Sequence, residues 1–322
     1  MKEIFGMISV FLATFISATG AVFAKLAAES FHQFDIALLR FIVQLILVSI
    51  GCLYIKKNPF KEPYLGKQVL RGCLGAITFI CALWGNSNME MSSATMIRFV
   101  GPLFTMVLAK VYLKETISNT KYFALVIGFL GVVLVAKPSF IFGTQIHRDY
   151  PNRHIAVFIN IISALTLSVS TVLTKKIINK VHILSLMYFF ALISIFTSIP
   201  LQFFKSTPPQ SASLLLPFLV AISYFISQLL SNIGIKTIPA SVATLIQISD
   251  TIFGVLYGVL VFQERLDIFS IIGCVLVLSV SLILAYEKFK SKPRPSKHYS
   301  KLSDVPDMAD IELAKIVKQS VK

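Results

Sequence analysis

The sequence predicts an all-α integral membrane protein in which ten transmembrane helices form two inverted five-helix repeats. Two observations carry this prediction: ten apolar runs suited to crossing a bilayer, and an internal similarity at an offset of about 150 residues. The composition agrees with both, because 56% of the residues are hydrophobic, 14% are charged, and the mean hydropathy is +0.79. A soluble domain carries roughly 25% charged residues. A chain of this composition therefore needs a bilayer to cover its apolar surface.

The ten runs are each predicted to be one membrane-spanning helix. A helix needs about 20 apolar residues to cross the hydrocarbon layer, and backbone at that depth must satisfy its own hydrogen bonds. The first run follows Lys2, as in a signal peptide, but no small-x-small cleavage site follows it, so we expect a retained helix. The predicted spans are residues 4–24, 34–54, 69–87, 92–113, 121–137, 154–174, 183–203, 212–232, 240–262 and 268–286.

Lysine and arginine are distributed unevenly between the two sides of this map. The terminal and even-numbered loops hold most of the basic residues, including Lys61, Lys114 and Lys176. Cytoplasmic loops collect Lys and Arg, so both termini are predicted to be cytoplasmic, in a multi-pass protein that we assign to a cell membrane of the bacterial inner-membrane type. Residues 287–322 are interpreted as a basic cytoplasmic tail beside anionic headgroups, with a regulatory helix as the alternative. This placement accounts for much of the formal net charge of +15. We therefore expect contact with membrane lipids and no nucleic-acid partner.

The internal similarity divides the chain into a first repeat, residues 4–137, and a second repeat, residues 154–286. Span four contains Ser92-x-Ala-Thr and span nine contains Ser241-x-Ala-Thr, and the glutamates that follow both spans, Glu115 and Glu264, share the same offset of 149 residues. Each repeat holds five spans. Because five is odd, the second repeat must enter the membrane from the opposite side. Inverted repeats of this kind are typical of secondary carriers.

An intramembrane enzyme and a channel-like pore are the alternatives to a carrier. Catalysis would need a nucleophile with a base, or metal ligands, grouped within the membrane. The five histidines fall in loops, at span edges or in the tail, the four cysteines form no CxxC, and neither HExxH nor GxSxG occurs. We therefore expect no enzyme activity, no catalytic residues, no metal and no cofactor. The inverted repeat and the few charges within the spans favour a carrier over a pore.

Several short motifs also resemble a known family. Leu39-Arg40-Phe41 in span two, Pro102-Leu103-Phe104 in span four and Leu113-Lys114-Glu115 after it are similar to motifs of the drug/metabolite transporter superfamily, in its EamA-type branch. The second repeat departs somewhat, with Gln263 where the first has Lys114. The resemblance covers residues from about 5 to 286. It implies ten helices in two inverted halves that move small organic solutes.

Charged residues inside spans are the first candidates for a substrate-binding site. Arg98 in span four and Asp250 in span nine occupy nearly equivalent places in the two repeats. Each costs about 2.5–3.5 kcal/mol at the centre of a membrane, so it needs a function or a partner. They either form a structural pair or line a cavity that binds charged groups of a solute. Arg40 in span two either binds substrate, reaches toward headgroups or pairs with Asp35.

Polar and aromatic residues around these charges could orient a solute. Asn88 and the only tryptophan, Trp84, end span three, and Trp84 could instead sit at the membrane interface. Tyr224 and Gln228 lie one turn apart in span eight, and Gln247 lies about one turn before Asp250 in span nine; all three are candidate substrate-binding residues. An arginine and an aspartate in one cavity suit a zwitterionic or amphoteric metabolite, such as an amino acid or S-adenosylmethionine.

Small and hydroxylated residues predict how the helices pack. The hydroxyl-rich run 163–170 in span six is expected to form hydrogen bonds between helices. Gly128 with Gly131 gives span five a smooth stripe, and Gly254 with Gly258 forms a GxxxG in span nine that would permit a homodimer.

Overall fold

The computed structural model describes residues 2–28, 30–88, 97, 100–136, 151–204, 214–261, 263 and 268–290. Within these ranges the chain forms helices and turns and has no β-strand. Two short 3₁₀ helices, Pro59–Lys61 and Pro200–Phe204, accompany the α-helices. The α-helices are α1 (Lys2–Ala27), α2 (Gln33–Tyr54), α3 (Leu65–Ser87), α4 (Val100–Tyr112), α5 (Asn119–Ala136), α6 (Arg153–Ile177), α7 (Ile183–Ser198), α8 (Leu215–Thr237), α9 (Ala240–Gln247), α10 (Asp250–Leu260) and α11 (Ile268–Lys290).

Seven segments of the described chain are long and apolar enough to cross a membrane. They are Lys2–Ala27, Gln33–Tyr54, Leu65–Gly85, His154–Ile177, Ile183–Gln202, Leu215–Thr237 and Ala240–Leu260. The three remaining predicted spans overlap shorter apolar helices, Val100–Tyr112, Asn119–Leu134 and Ile271–Leu284. The all-helical membrane class is thereby confirmed, whereas ten crossings stay a prediction. The greater part of the predicted tail, from residue 291 onward, lies outside the described residues.

The helices carry large apolar side chains on their outer surface. Leu53, Phe158 and Phe196 are 78%, 65% and 66% exposed, although each lies within an apolar helix. Water would disfavour such a surface, at about 25 cal/mol for each Å² of apolar area. Lipid chains would cover these side chains without that cost.

Helices α1 and α8 pack closely through small residues. A Cβ atom added to Gly234 would overlap the Val10 side chain and would lie 2.8 Å from the Gly6 carbonyl oxygen. Further along, the Ser227 hydroxyl donates a hydrogen bond of 2.8 Å to the Ala13 carbonyl oxygen. Such close backbone approach lets van der Waals contact hold the helices together, since lipid is as apolar as the side chains.

Helices α3 and α6 form a second close pair. A Cβ atom added to Gly85 would overlap the Asn160 side chain, and the Ser163 hydroxyl donates a hydrogen bond of 2.9 Å to the Thr78 carbonyl oxygen. The Ser168 hydroxyl also donates to the Gly101 carbonyl oxygen of α4, at 2.9 Å. The predicted hydrogen bonding between helices by the 163–170 run is therefore confirmed.

The two close pairs use corresponding positions. Gly234 lies 149 residues after Gly85, and Asn160 lies 150 residues after Val10. The contact of Gly234 with Val10 thus recurs as the contact of Gly85 with Asn160, with the roles of the two halves of the sequence exchanged.

Local backbone features recur at the same offsets. His32 and His182, 150 residues apart, each precede a helix and accept a hydrogen bond at Nδ1, from the N–H of Phe34 and of Leu184 respectively, both at 3.3 Å. Lys114 and Gln263, 149 residues apart, both adopt the left-handed conformation, with φ of 54° and 51°. This role of the two histidines at helix starts was not predicted from the sequence.

Charged side chains cap two helix ends in the second half of the chain. The Glu115 carboxylate, after α4, accepts hydrogen bonds from the N–H of Ala240 at 2.8 Å, the N–H of Ser241 at 3.3 Å and the Ser241 hydroxyl at 2.7 Å. It therefore neutralises the first turn of α9. At the end of α8 the Lys175 ammonium donates to the carbonyl oxygens of Ile235, Lys236 and Ile238, at 2.7, 3.3 and 2.6 Å.

Arg71 is buried, although its place two residues into the predicted span 69–87 would put it at the membrane interface. Only 9% of it is exposed, and its guanidinium donates to the Thr174 hydroxyl and to the Leu186 carbonyl oxygen, both at 3.2 Å. The difference arises because both partners lie more than 100 residues away in the sequence. Arg71 thus ties α3 to α6 and α7.

The two glycine stripes have different surroundings. A Cβ atom added to Gly131 would lie 2.8 Å from the Gly273 carbonyl oxygen, so the stripe on α5 packs against α11. An atom added to Gly254 would meet nothing within 4 Å among the described residues, so the face of α10 that carries Gly254 is open at this point. The homodimer stays a prediction.

Candidate functional site

Arg40 and Tyr224 meet between α2 and α8. The guanidinium carbon of Arg40 lies 3.9 Å from the centroid of the Tyr224 ring, and it also lies 5.3 Å and 5.7 Å from the rings of Phe41 and Phe79. A guanidinium over an aromatic ring is attracted by the ring quadrupole, by about 2 kcal/mol when water is excluded. The side chain is therefore directed into the bundle rather than toward headgroups.

Gln44 and Gln228 meet one helical turn further along the same two helices. The Gln44 side-chain amide donates a hydrogen bond of 2.7 Å to the Gln228 oxygen, and Gln44 is completely buried. The second contact lies four residues later than the first on both helices. The chain therefore runs in the same direction in α2 and α8, and the two helices are parallel at this point. We call the set Arg40, Gln44, Tyr224 and Gln228, with Asn232 one turn further along α8, the α2–α8 seam.

The seam contains buried polar atoms without a hydrogen-bond partner among the described residues. They are Nε of Arg40, Oε1 of Gln44 and Nδ2 of Asn232. Asn232 itself is 2% exposed. An unsatisfied buried polar atom costs about 1–3 kcal/mol, and an apolar residue of similar shape would avoid that cost. Gln44 and Asn232 were missed from the sequence, although the four-residue spacing of Arg40 and Gln44 in an apolar helix was a usable signal.

The ninth predicted span is interrupted beside Asp250. Helix α9 ends at Gln247, the N–H groups of Ile248 and Ser249 bond to carbonyls three residues back, and α10 starts at Asp250. Ile248 and Ser249 keep backbone angles of the right-handed helical region, so the interruption is a single tightened turn of the 3₁₀ type. A negative charge at the start of the helix that follows is favoured by about 0.3–1 kcal/mol. Asp250 lies in that first turn and is exposed. Asp250 therefore places a negative charge within the predicted span, directly after the interruption of the helix.

Gln247 is the last residue before this break. Its side-chain amide donates a hydrogen bond of 3.2 Å to the Ser231 hydroxyl of α8. Ser231 directly precedes Asn232 in the sequence. The broken span and the α2–α8 seam are therefore linked through α8.

Trp84 and Asn88 lie at the end of α3 in a different group of contacts. Trp84 and Ile97 both pack against Ala156 of α6, and the Asn88 side-chain amide donates to the Trp84 carbonyl oxygen at 2.9 Å. None of the described contacts joins these two residues to the α2–α8 seam. Arg98 lies outside the described residues, so its predicted proximity to Asp250 stays a prediction.

The described residues offer no group of three or more His, Cys, Asp and Glu side chains that could hold a metal ion. The polar groups of the seam are amides, a guanidinium and a phenol, which bind solutes through hydrogen bonds and charge. An apolar exterior, buried polar groups between helices and an interrupted helix are typical of a multi-pass membrane protein of the transporter class.

The chain belongs to the EamA-like transporter family, which matches residues 4–137 and 154–286. It is similar to the S-adenosylmethionine uptake transporter of Rickettsia conorii, at 24% identity over 90% of this chain and 95% of that protein. It is also similar to the S-adenosylmethionine uptake transporter of Rickettsia prowazekii, at 26% identity over 90% and 94% of the two chains. The resemblance to EamA-type transporters found in the sequence is confirmed.

A solved crystal structure shares the fold. It superposes with a TM-score of 0.73 at 14% identity, over 89% of this chain and 99% of the other. Together with the family match, the comparisons identify an integral membrane transporter of small metabolites and not an enzyme.

Proposed function

We propose that this protein is a secondary carrier for a zwitterionic or amphoteric organic metabolite, of the class of amino acids and S-adenosylmethionine. In this proposal two inverted five-helix halves alternate in opening to either side of a bacterial inner membrane, with both termini in the cytoplasm. The observation that carries it is one helix contact that occurs twice at corresponding positions, as Gly85 with Asn160 and as Gly234 with Val10. We call this the doubled contact.

The doubled contact supports two halves related by a two-fold axis. The first helix of each half packs on the third helix of the other, as α1 on α8 and α6 on α3. The second helices, α2 and α7, pack on each other, as a two-fold axis between them requires. With an odd number of spans in each half, that axis lies in the membrane plane. Two similar halves of opposite orientation can then exchange inward-open and outward-open shapes.

The substrate class is supported by the charges within the spans and by the relatives. Arg40 offers a guanidinium to a carboxylate, and Asp250 offers a carboxylate to an ammonium or another cation. The similar Rickettsia proteins are named S-adenosylmethionine uptake transporters, and S-adenosylmethionine carries both kinds of charge. Arg40, Trp84, Asn88, Arg98, Tyr224, Gln228, Gln247 and Asp250 are the proposed binding residues.

Transport is tested with purified protein in sealed proteoliposomes. We expect saturable uptake of labelled S-adenosylmethionine, faster when unlabelled substrate is inside the vesicles, because a carrier returns more quickly when loaded. Flux that rises linearly with concentration would indicate a pore, and chemical turnover in detergent would indicate an enzyme. Either outcome would refute the carrier.

The role of Asp250 is tested by Asp250→Asn, alone and together with Arg98→Gln. A neutral amide costs less to bury than a carboxylate, so the single variant should insert and fold while losing transport. Normal transport by the double variant would leave these two residues as a structural pair and remove them from the binding site.

The orientation is tested by labelling single cysteines from outside intact cells. Lys61→Cys and Lys176→Cys should be protected, and Arg148→Cys should be labelled. Labelling of Lys61→Cys and Arg148→Cys from the same side would contradict the ten-span topology.

A further inference from the structure

The internal repeat relates the α2–α8 seam to a second contact, between α3 and α7. Helices α7 and α3 hold the positions that correspond to α2 and α8, and they also pack closely: a Cβ atom added to Gly72 would lie 3.0 Å from the Phe189 carbonyl oxygen, and one added to Gly75 would lie 2.6 Å from the Phe190 ring. We call this contact the α3–α7 seam. The repeat therefore allows the two seams to be compared position by position.

The two seams differ in chemistry although they correspond in place. At an offset of 150 residues, Arg40 corresponds to Phe190 and Gln44 to Ser194. Phe190 fills its position with an apolar ring, which contacts Phe41 at a centroid distance of 5.6 Å. Ser194 is buried, and its small hydroxyl has no hydrogen-bond partner among the described residues. At these corresponding positions a guanidinium and a long amide occur on the α2–α8 seam alone. The α3–α7 seam has Arg71 and Gln68 nearer the start of α3, but Nε of Arg71 and Oε1 of Gln68 are hydrogen-bonded within the protein, to Thr174 and Ser185.

The α8 side of the comparison gives the same result. At the offset of 149 residues that relates Gly234 to Gly85 on the same two helices, Tyr224 corresponds to Gly75, Gln228 to Phe79 and Asn232 to Leu83. The contact of Arg40 with Tyr224 therefore corresponds to the contact of Phe190 with Gly75. The polar stripe of α8 thus corresponds on α3 to a glycine and two apolar residues. The halves diverge in chemistry along one seam while they keep their packing contacts.

From this divergence we infer that the α2–α8 seam is the solute-binding surface and that Gln44 and Asn232 bind the solute together with Arg40. This inference rests on the proposed carrier function and adds the place and the arrangement of the ligand. Arg40 binds a carboxylate, which completes the hydrogen bonding of its Nε. Gln44 Oε1 accepts from a donor, and Asn232 Nδ2 donates to an acceptor, which are the two partners found on the edge of an amide or a nucleobase.

The length of the seam selects among amphoteric metabolites. Tyr224 and Asn232 are eight residues apart on α8, which is about 12 Å along the helix. A free amino acid of ordinary size is too short to reach from Arg40 to Asn232. The seam fits an α-amino acid whose far end is a nucleobase or a similar hydrogen-bonding ring. Because Gln44 is fully buried and bonded to Gln228, α2 and α8 must separate at this bond for the ligand to enter.

Three probes separate the two ends of the site. S-adenosylmethionine carries both ends, methionine carries the amino-acid end alone, and methylthioadenosine carries the nucleoside end alone. Their affinities are measured on the purified full chain for the wild type and for Arg40→Gln, Gln44→Met, Asn232→Leu and the control Ser194→Ala.

We expect a pattern in which each variant affects only the probes that reach it. Arg40→Gln should weaken binding of S-adenosylmethionine and methionine by roughly tenfold or more and leave methylthioadenosine unchanged. Gln44→Met and Asn232→Leu should weaken S-adenosylmethionine and methylthioadenosine by a similar factor and leave methionine unchanged. Ser194→Ala, at the position that corresponds to Gln44, should bind all three probes as the wild type does.

Thermal stability separates binding from a structural role. Asn232→Leu removes a buried atom without a described partner, so its melting temperature without ligand should equal or exceed that of the wild type. A lower melting temperature with unchanged affinities would make Asn232 a structural residue and overturn its part of the inference.

Two further outcomes distinguish this inference from the carrier proposal. If the wild type transports S-adenosylmethionine and every seam variant keeps its affinity for all probes, the seam is wrong and the carrier stands. If the wild type neither binds nor transports any probe, the proposed substrate class fails and the seam assignment fails with it.

Discussion

Removal of the Glu115 carboxylate should destabilise the protein by an amount that its contacts predict. Glu115 accepts hydrogen bonds from two backbone N–H groups and one hydroxyl at the start of α9. Loss of a helix N-cap costs about 0.5–2 kcal/mol, and loss of a negative charge at a helix N-terminus costs a further 0.3–1 kcal/mol, approximately. For Glu115→Ala we therefore expect a loss of about 1–3 kcal/mol.

The loss is measured as a shift in the melting temperature of the purified protein in detergent. At about 2–4 °C for each kcal/mol, Glu115→Ala should melt about 2–12 °C lower. Glu115→Gln should fall between this variant and the wild type, because an amide keeps one acceptor but brings an N–H₂ group toward two other donors.

Glu62→Gln is the matched control. Glu62 is half-buried, and its carboxylate accepts a hydrogen bond of 3.3 Å from the His182 N–H. Its replacement should change stability by less than about 0.5 kcal/mol. Ser241→Ala tests the coupling: the double variant with Glu115→Ala should lose less than the sum of the two single losses. Equal melting temperatures of Glu115→Ala and Glu62→Gln would refute the capping role of Glu115.

Three other substitutions test the packing of the helices by thermal unfolding. Gly234→Ala should destabilise the protein, because the added Cβ would press on backbone that cannot rotate away. In the control Gly66→Ala the added Cβ meets nothing within 4 Å, so this variant should gain up to about 1 kcal/mol of helix propensity. Equal effects of the two substitutions would contradict the close α1–α8 contact. Lys175→Met should lower the free energy of unfolding by about 1–2 kcal/mol, because three carbonyl oxygens at the end of α8 lose their donor. The control Lys176→Met, at an exposed position, should be neutral. A neutral Lys175→Met would contradict the capping role of Lys175. Arg71→Lys should lower the free energy of unfolding by about 2 kcal/mol, since an ammonium cannot reach both partners of the guanidinium. Wild-type stability of this variant would show that one of the two hydrogen bonds does not stabilise the fold.

The membrane class could be predicted from the sequence because hydropathy is a local property of the chain. Each predicted span overlaps an apolar helix, since a run of apolar residues must form its hydrogen bonds within itself in lipid. The break in the ninth span was not predicted. Ile248 and Ser249 include neither Gly nor Pro, so no local signal marks the place where α9 ends and α10 begins.

The site could be predicted only in part, because tertiary contacts decide which polar residues meet. Arg40, Tyr224 and Gln228 were selected as separate candidates and come together on one seam. Gln44 was overlooked although it follows Arg40 by one helical turn, because the sequence does not indicate which residue it contacts. Its partner Gln228 lies 184 residues away, a distance at which sequence spacing carries no information on contact.

The close pairing of α1 with α8 has a consequence for synthesis of the chain. Residue 27 is made about 200 residues before α8 is complete, which at about 5–20 residues per second is a delay of roughly 10–40 s. During that interval α1 is in the membrane without the helix against which Gly6 and Val10 pack. Residues 4–137 therefore do not fold as a finished unit that awaits a second one. Severed from the rest, they would retain their helices but would need residues 154–286, supplied as a separate chain, to reach a stable arrangement.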